Sequence, residues 1–326
     1  MMNETENINN LIATPKFQLP ASNFYALSSM HYLVTGGAGF IGSHLVESLL
    51  ADGHAVSVLD NLSTGKRENV PADAVFIEGD VSDADVVKSA AQGVDGIFHL
   101  AAIPSVPLSV EDPVGTFRTN VMGTLHVLDA ARLSGVKRVV ATSSSAIYGD
   151  QPIPHSTDAV ARPMSPYGMH KFMGEKLASM FSSIYGLQTV SLRHFNVYGP
   201  RMADTGAYAS VINIFLNQHR KGLPLTIIGD GEQTRDFVHV SDVVRAYKAA
   251  MTNESIGKGE VFNVGTGQGR TVNQIAALIG GPVEYLPPRK GDILHSVADV
   301  SRTKELLEWE AKKPFEEGLR ELMKNE

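Results

Sequence analysis

A chain of 326 residues, 43% hydrophobic and 19% charged, has the makeup of an ordinary globular protein and is long enough for one large domain or two of common size. Its net charge of -7, with lysine and arginine dispersed, offers no broad positive field for nucleic acid or anionic membrane, so any phosphate must be held locally. There is no cysteine, which excludes disulfides, thiolate metal sites and a cysteine nucleophile, and no apolar run approaches the roughly 20 residues that span a bilayer.

These features lead us to expect a soluble, cytoplasmic protein. The opening stretch, residues 1–29, lacks the basic start and apolar run of a signal peptide and reads as an appended leader or poorly ordered arm. Its Phe17, Leu19, Phe24 and Tyr25 could dock on a neighbouring surface. The fold is expected to begin at Met30.

From His31 short aliphatic runs alternate with helical patterns: HYLVT, then FIGSHLVESLLADG; AVSVLD, then a polar turn; AVFIEGD, then DADVVKSAAQG; GIFHLAA, then DPVGTFRTNVMGTLHVLDAARLSG; then RVVATSSS. Continuous apolar strands separated by helices predict a parallel sheet covered on both faces, a Rossmann-type doubly wound α/β fold. A sixth strand, LQTVSLRHF, follows the helix that carries Tyr167 and Lys171. Beyond Asn196 come a helix through VINIFLNQHRKG, a GDGEQTRDF turn, a helix from about Ser241, EVFNVGTG, TVNQIAALIG, a proline-rich PPRKGD stretch and two terminal helices. Residues 30–195 therefore read as a dinucleotide-binding domain. Residues 196–326 read as a mainly substrate-binding lobe, with segments around 236–265 returning to the sheet.

TGGAGFIG, Thr35 to Gly42, sits between a predicted strand and a predicted helix. Gly36, Gly39 and Gly42 permit a tight turn, let backbone amides approach a pyrophosphate and bring helix close to strand. The helix N-terminus then favours the anion. Asp60 closes the second strand, where its carboxylate can accept from both adenosine ribose hydroxyls and would repel a 2′-phosphate, so NAD is favoured over NADP. Lys66 and Arg67 could soften that preference by folding back. Asp80 and Val81 are expected to close the third strand beside the adenine, and Leu100, Ala101 and Ala102 to end the fourth with small residues along the cofactor; simple core packing explains that last run equally well.

Tyr167 and Lys171 are four apart on one predicted helix, so phenol and ammonium can share one small volume. A phenol near pKa 10 is a poor base at neutral pH, but the ammonium and the charge of a nicotinamide ring would both favour the phenolate. Ser143, Ser144 and Ser145 lie at a strand's C-terminal end, where ligands bind in open α/β sheets. They could instead merely satisfy backbone groups there. None of the eleven histidines forms an HExxH or similar pairing, so no metal is expected.

In this order TGGAGFIG, Asp60, SSSAIYGD, Tyr167 with Lys171, RHFNVYGPR and GDGEQTRDFVHVSD resemble the extended short-chain dehydrogenase/reductase family, and within its nucleotide-sugar branch the UDP-hexose 4-epimerases, from Met30 to about Trp309. The resemblance implies NAD as cofactor, Tyr167 as base for the O4 hydroxyl, Lys171 as its charge partner and Ser144 as hydroxyl partner, with Ser143 and Ser145 as alternatives. Phe40, Ile41, Asn61, Ser63 and Asn120 complete the candidate cofactor contacts. Asn196, Arg235 and Arg289 are the positions matching a second pyrophosphate site, where arginine offers planar paired donors, and Asp292 is the expected acceptor for a uridine ribose hydroxyl. Ser296 stands where epimerases restricted to unsubstituted hexoses carry a large aromatic residue, which implies acceptance of UDP-GlcNAc and UDP-GalNAc as well as UDP-glucose and UDP-galactose; alternatively it is a loop packing contact.

Relatives pair through two helices each as a four-helix interface, so a homodimer through DPVGTFRTNVMGTLHVLDAARL and PYGMHKFMGEKLASMFSSIYG is expected. Three other readings compete. A dehydratase needs an acid and a base where this chain has Ser145 and Ala146. A UDP-glucuronate 4-epimerase or decarboxylase needs a partner for the C6 carboxylate. A non-catalytic NAD-binding sensor would not need a matched base.

Overall fold

The computed structural model describes residues 29–202, 210–288 and 293–324. The expected leader, apart from Ser29, and the candidate residues Arg289 and Asp292 lie outside the described residues. In chain order the elements are β1 (His31–Thr35), α1 (Phe40–Ala51), β2 (Ala55–Asp60), β3 (Val75–Glu78), α2 (Ala84–Ala90), β4 (Gly96–His99), α3 (Val106–Glu111), α4 (Pro113–Phe117), a π-helical turn (Arg118–Met122), α5 (Gly123–Leu133), β5 (Arg138–Ser144), α6 (Pro166–Tyr185), β6 (Gln188–His194) and β7 (Asn196–Tyr198). There follow α7 (Val211–Arg220), β8 (Leu225–Ile228), β9 (Thr234–His239), α8 (Val240–Thr252), β10 (Lys258–Val264), β11 (Gly269–Thr271), α9 (Val272–Ile279), β12 (Val283–Leu286), β13 (His295–Ser296), α10 (Ser301–Leu306) and α11 (Phe315–Lys324). Among the described residues no helix is long and apolar enough to cross a membrane.

Seven strands form one parallel sheet in the order β10-β6-β5-β4-β1-β2-β3. The doubly wound α/β architecture is the one read from the sequence. Because side chains alternate along a strand, neighbouring residues feed opposite layers. Val34, Val58, Phe98 and Val140 pack with Leu45, Val46 and Leu49 of α1 and Val243, Tyr247 and Ala250 of α8. Leu33, Leu59, Ile97 and Val139 pack on the other face with Val87 of α2, Val127 and Leu128 of α5, and Ala178 and Phe181 of α6. Successive strands leave β1 in opposite directions, towards β2 and towards β4, and the carboxyl ends of β1 and β4 border the crevice where ligands bind in such sheets.

The remaining segments build a smaller body beside those carboxyl ends. β7, β9, β11 and β13 form a second sheet and β8 pairs with β12. Its core gathers Ile212 and Phe215 of α7, Phe237 of β9, Ile275 of α9 and Phe315 and Leu319 of α11. Three local expectations differ from the structure. The GDGEQTRDF stretch is a turn only to Gln233, since from Thr234 it is strand β9, anchored by the buried Asp236, whose carboxylate accepts from the amides of Thr266, Gly267 and Ala298. β3 stops at Glu78, so Asp80 and Val81 lie beyond it. The long pattern from Asp112 to Leu133 is two helices joined by the π-helical turn.

Candidate active site

A cavity of about 460 Å³ opens at the carboxyl ends of the central strands. Gly36, Gly39, Phe40, Ile41, Gly42, Asp60, Asn61, Ser63, Asp80, Val81, Leu100, Ala101 and Ala102 line one part, and Ser143, Ser144, Tyr167 and Lys171 another. These seventeen positions, far apart in sequence, converge because all but Tyr167 and Lys171, which α6 supplies, lie at or soon after the carboxyl end of a strand of the same sheet.

At the loop end, Gly36 has φ +72, and a Cβ there would lie 2.6 Å from the Ala101 nitrogen. A Cβ on Gly42 would lie 2.1 Å from the Gly36 carbonyl oxygen. Only glycine lets strand, loop and helix close this far. Gly39, the residue before α1, brings no side-chain cap, which leaves the first-turn amides to a ligand anion. Asp60 is buried at the end of β2, and its two oxygens accept from Ala38 N at 3.0 Å and Leu62 N at 2.9 Å. Each oxygen keeps lone-pair capacity for a hydroxyl donor. The cradle and the acidic strand end fit a dinucleotide. Arg67 does not fold back: its guanidinium lies 4.6 Å from the Phe76 ring centroid and donates to Val70 O. Asn61 Nδ2 donates to Asp80 at 2.7 Å, tying two cavity-lining loops together.

At the other end, Ser165 caps α6 by accepting from Gly168 N, and Pro166 takes the first helical position, where its missing N–H costs nothing. Tyr167 is thereby fixed in the first turn, its own amide donating to Ser109 Oγ at 3.0 Å. Lys171 follows one turn later, buried, with Nζ donating to Thr142 O at 3.2 Å. Burial pulls its ammonium down to about 8, and Glu175 opposes that fall. For Tyr167 the expected lowering is not found in the chain alone: burial pushes the phenol up, and a hydrogen bond with the Ser144 hydroxyl pulls the other way without cancelling it. Desolvation of a phenolate outweighs one hydroxyl donor, and the Lys171 ammonium is directed at a backbone carbonyl.

Ser143 lines the cavity, but its hydroxyl donates to Glu175 Oε1 at 2.5 Å, and Ser145 belongs to the 3-10 turn whose cap is Ser144. Asn120 is buried and grips a loop: its Oδ1 accepts from Ile103 N at 2.7 Å and its Nδ2 donates to Ile103 O at 3.1 Å. Its side chain holds the wall segment in place of lining the cavity. Arg235 donates to the carbonyls of Thr234, Ile293 and Leu294, which fixes the approach to β13. Ser296, its strand partner, is buried at the end of β13. Asn196 opens β7, and its neighbour Val197 reaches the cavity.

The lining also holds residues that the sequence reading passed over: Thr119, Thr142, His194 and Phe195. His194 ends β6 beside Ser144, and its Nε2 is buried without a hydrogen-bond partner among the described residues. Burial, then Lys171, hold this imidazole down to about 3, so it stays neutral. The signal was available in RHF, a guanidinium and an imidazole side by side at the carboxyl end of a buried strand.

A model of the NAD dependent epimerase/dehydratase family matches residues 32–265. A UDP-glucose 4-epimerase of Mycolicibacterium smegmatis is 42% identical over 304 residues, 89% of this chain and 96% of that protein. Among solved structures, the UDP-glucose 4-epimerase of Thermotoga maritima with UDP-glucose has a TM-score of 0.85 at 43% identity, covering 89% of this chain and 96% of that one. The UDP-N-acetylglucosamine 4-epimerase of Methanobrevibacter ruminantium, in complex with UDP-N-acetylmuramic acid, has a TM-score of 0.86 at 37% identity, covering 91% and 97%. The chain belongs to the NAD dependent epimerase/dehydratase family, and NAD is its cofactor.

Proposed function

We propose that the cavity takes NAD along the Gly36–Gly42 loop and a UDP-hexose against Tyr167, and that the protein inverts the sugar at C4 through a 4-keto intermediate. The observation that carries this reading is the convergence of Tyr167, Ser144 and the buried Lys171 on the same cavity as the glycine cradle and Asp60. When bound, NAD supplies hydride acceptance and return at C4 and a positive ring charge. Tyr167 receives the O4 proton as C4 is oxidised and gives it back as C4 is reduced, while Ser144 orients that hydroxyl. Because the phenol alone is pushed up by burial, it becomes a base only when positive charge stands beside it, and Lys171 on the next turn is the protein's own source.

The resemblance supports acceptance of 2-acetamido sugars, since Ser296 is small where epimerases restricted to unsubstituted hexoses carry a large aromatic residue. An NMR assay with UDP-glucose, UDP-galactose, UDP-GlcNAc, UDP-GalNAc and UDP-glucuronate tests both levels. Interconversion of the GlcNAc and GalNAc pair is expected, and Ser296→Tyr should slow that pair selectively. Turnover of UDP-glucose with none of UDP-GlcNAc refutes the substrate assignment; turnover of UDP-glucuronate alone refutes the hexose reading.

A homodimer completes the reading. Val110 of α3, Val114 of α4 and Met169, Met173, Ile184 and Tyr185 of α6 are all exposed, an apolar surface of the kind that marks an interface. Light scattering should give twice the chain mass, and Met173→Asp should halve it. A monomeric wild type at micromolar concentration overturns this.

A further inference from the structure

His99 is the last residue of β4, fully enclosed, and none of the steps above uses it. Its Nδ1 meets Thr35 Oγ1 at 2.8 Å and its Nε2 meets Thr124 Oγ1 at 3.0 Å. The direction of each bond follows from proton counting. Thr124 Oγ1 donates to Asn120 O at 2.7 Å, and a hydroxyl has one proton, so towards His99 it accepts. The imidazole proton is therefore on Nε2, and Nδ1 accepts from Thr35. Thr35 Oγ1 in turn accepts from Ala101 N at 3.3 Å. Burial, reinforced by the nearby Lys171, holds the ring down to about 3, in keeping with a single ring proton at any working pH.

The two ends of this chain of bonds are the two sides of the cofactor cavity. Thr35 immediately precedes Gly36, the residue whose hypothetical Cβ would strike the Ala101 amide at 2.6 Å. Asn120 sits in the π-helical turn beside the cavity-lining Thr119 and grips the backbone of Ile103, also in the lining, through both the oxygen and the nitrogen of its side-chain amide. A π-turn shifts the helical hydrogen-bond pattern, and here the Thr124 hydroxyl is bonded to the Asn120 carbonyl within it. An apolar side chain would fill the same space but could not fix the distance between loop strand and turn.

We propose that His99 is a positioning residue for the cofactor: one imidazole, with its proton on Nε2, ties the end of the phosphate-loop strand to the π-turn that holds Ile103, and so sets the gap between the two walls that NAD enters. The inference rests on the reading of this cavity as the NAD site, which is tested on its own by loss of NAD binding in Gly42→Ala. His99→Leu abolishes both bonds, whereas His99→Gln keeps a donor and an acceptor on one side chain. For protein stripped of nucleotide, we expect His99→Leu to raise the NAD dissociation constant about tenfold or more, the scale of one or two lost buried hydrogen bonds, and His99→Gln to recover most of it. Nitrogen-resolved NMR of the wild type should show the Nε2–H tautomer from pH 5 to 9. Wild-type NAD affinity in His99→Leu, an Nδ1–H tautomer, or a glutamine variant that binds no better than the leucine variant at equal urea stability each overturns the proposal. If the leucine variant fails to fold, the tautomer and an unaltered affinity in His99→Thr, which also cannot span the two threonines, decide the matter in the same way.

Discussion

Glu175 and Arg193 meet inside the protein through two parallel hydrogen bonds of 2.8 Å, with the side chains 3% and 5% exposed. Glu175 Oε1 also accepts from Ser143, and Arg193 Nη1 donates to Tyr148, whose hydroxyl donates to Asn263 at 2.6 Å. The pair thus joins α6 to β5, β6 and β10 behind the site. Burying two charges is tolerable only while both are paired, and removal of one partner leaves the other desolvated. Glu175→Gln should cost about 3–5 kcal/mol in urea unfolding. A loss under about 1 kcal/mol would mean that water reaches the pair.

Tyr167→Phe removes one hydroxyl whose protein partner is Ser144. Stability should change by no more than about 1 kcal/mol, because one hydrogen bond at a cavity wall is lost. Turnover of the sugar should fall by about 10³-fold, the scale of a missing acid–base group, with NAD still bound. Single-turnover kinetics beside a nucleotide titration separates the two effects.

For Gly42→Ala the added methyl meets the Gly36 carbonyl oxygen at 2.1 Å, backbone against backbone, with no flexible neighbour to yield. Loop and helix must part, at about 1–3 kcal/mol by the usual cost of overpacking. Thermal unfolding of the nucleotide-free protein should show the loss, and NAD should no longer restore the melting temperature to that of the liganded wild type.

Lys171 offers a test by pH. Its ammonium stands at about 8 in the fold against 10.5 ordinarily, so over that interval the unfolded chain binds the proton that the folded chain has released. Stability therefore rises with pH from about 8 to 10.5, by on the order of 3 kcal/mol, while below 8 both states hold the proton and the burial penalty is constant. Lys171→Met abolishes this rise. Unfolding of the nucleotide-free pair at pH 7.5 and 10.5 should show the variant losing ground to the wild type as pH increases, and a constant difference would exclude a depressed ammonium.

Strand-and-helix alternation made the seven-stranded sheet legible, because apolar runs such as HYLVT and RVVATSSS leave few alternatives once helices separate them. The glycine loop and the Tyr167–Lys171 spacing were equally readable, since both are local. What the chain did not disclose is non-local. The direction of the Lys171 ammonium depends on the Thr142 carbonyl, 29 positions away, and the hydroxyl of the cavity-lining Ser143 is taken up by Glu175 on a different element. Asn120 looked like a ligand contact because the π-helical turn that points it at Ile103 has no sequence period of its own. His194 was hidden for the opposite reason: a lone imidazole at a strand end is most often a satisfied core residue, and only the enclosed, unbonded Nε2 distinguishes it.

β10 closes the edge of the large sheet against β6, and α8 covers one of its faces, yet both are encoded after β7, β8 and β9. The polypeptide leaves the nucleotide half and is stitched back into it. A gene fragment stopping near residue 200 would consequently yield a sheet with a raw border at β6 and bare Val140 and Phe98 where Tyr247 should rest, so expression of the first half alone should give insoluble material, and rescue would require the missing stretch supplied in trans.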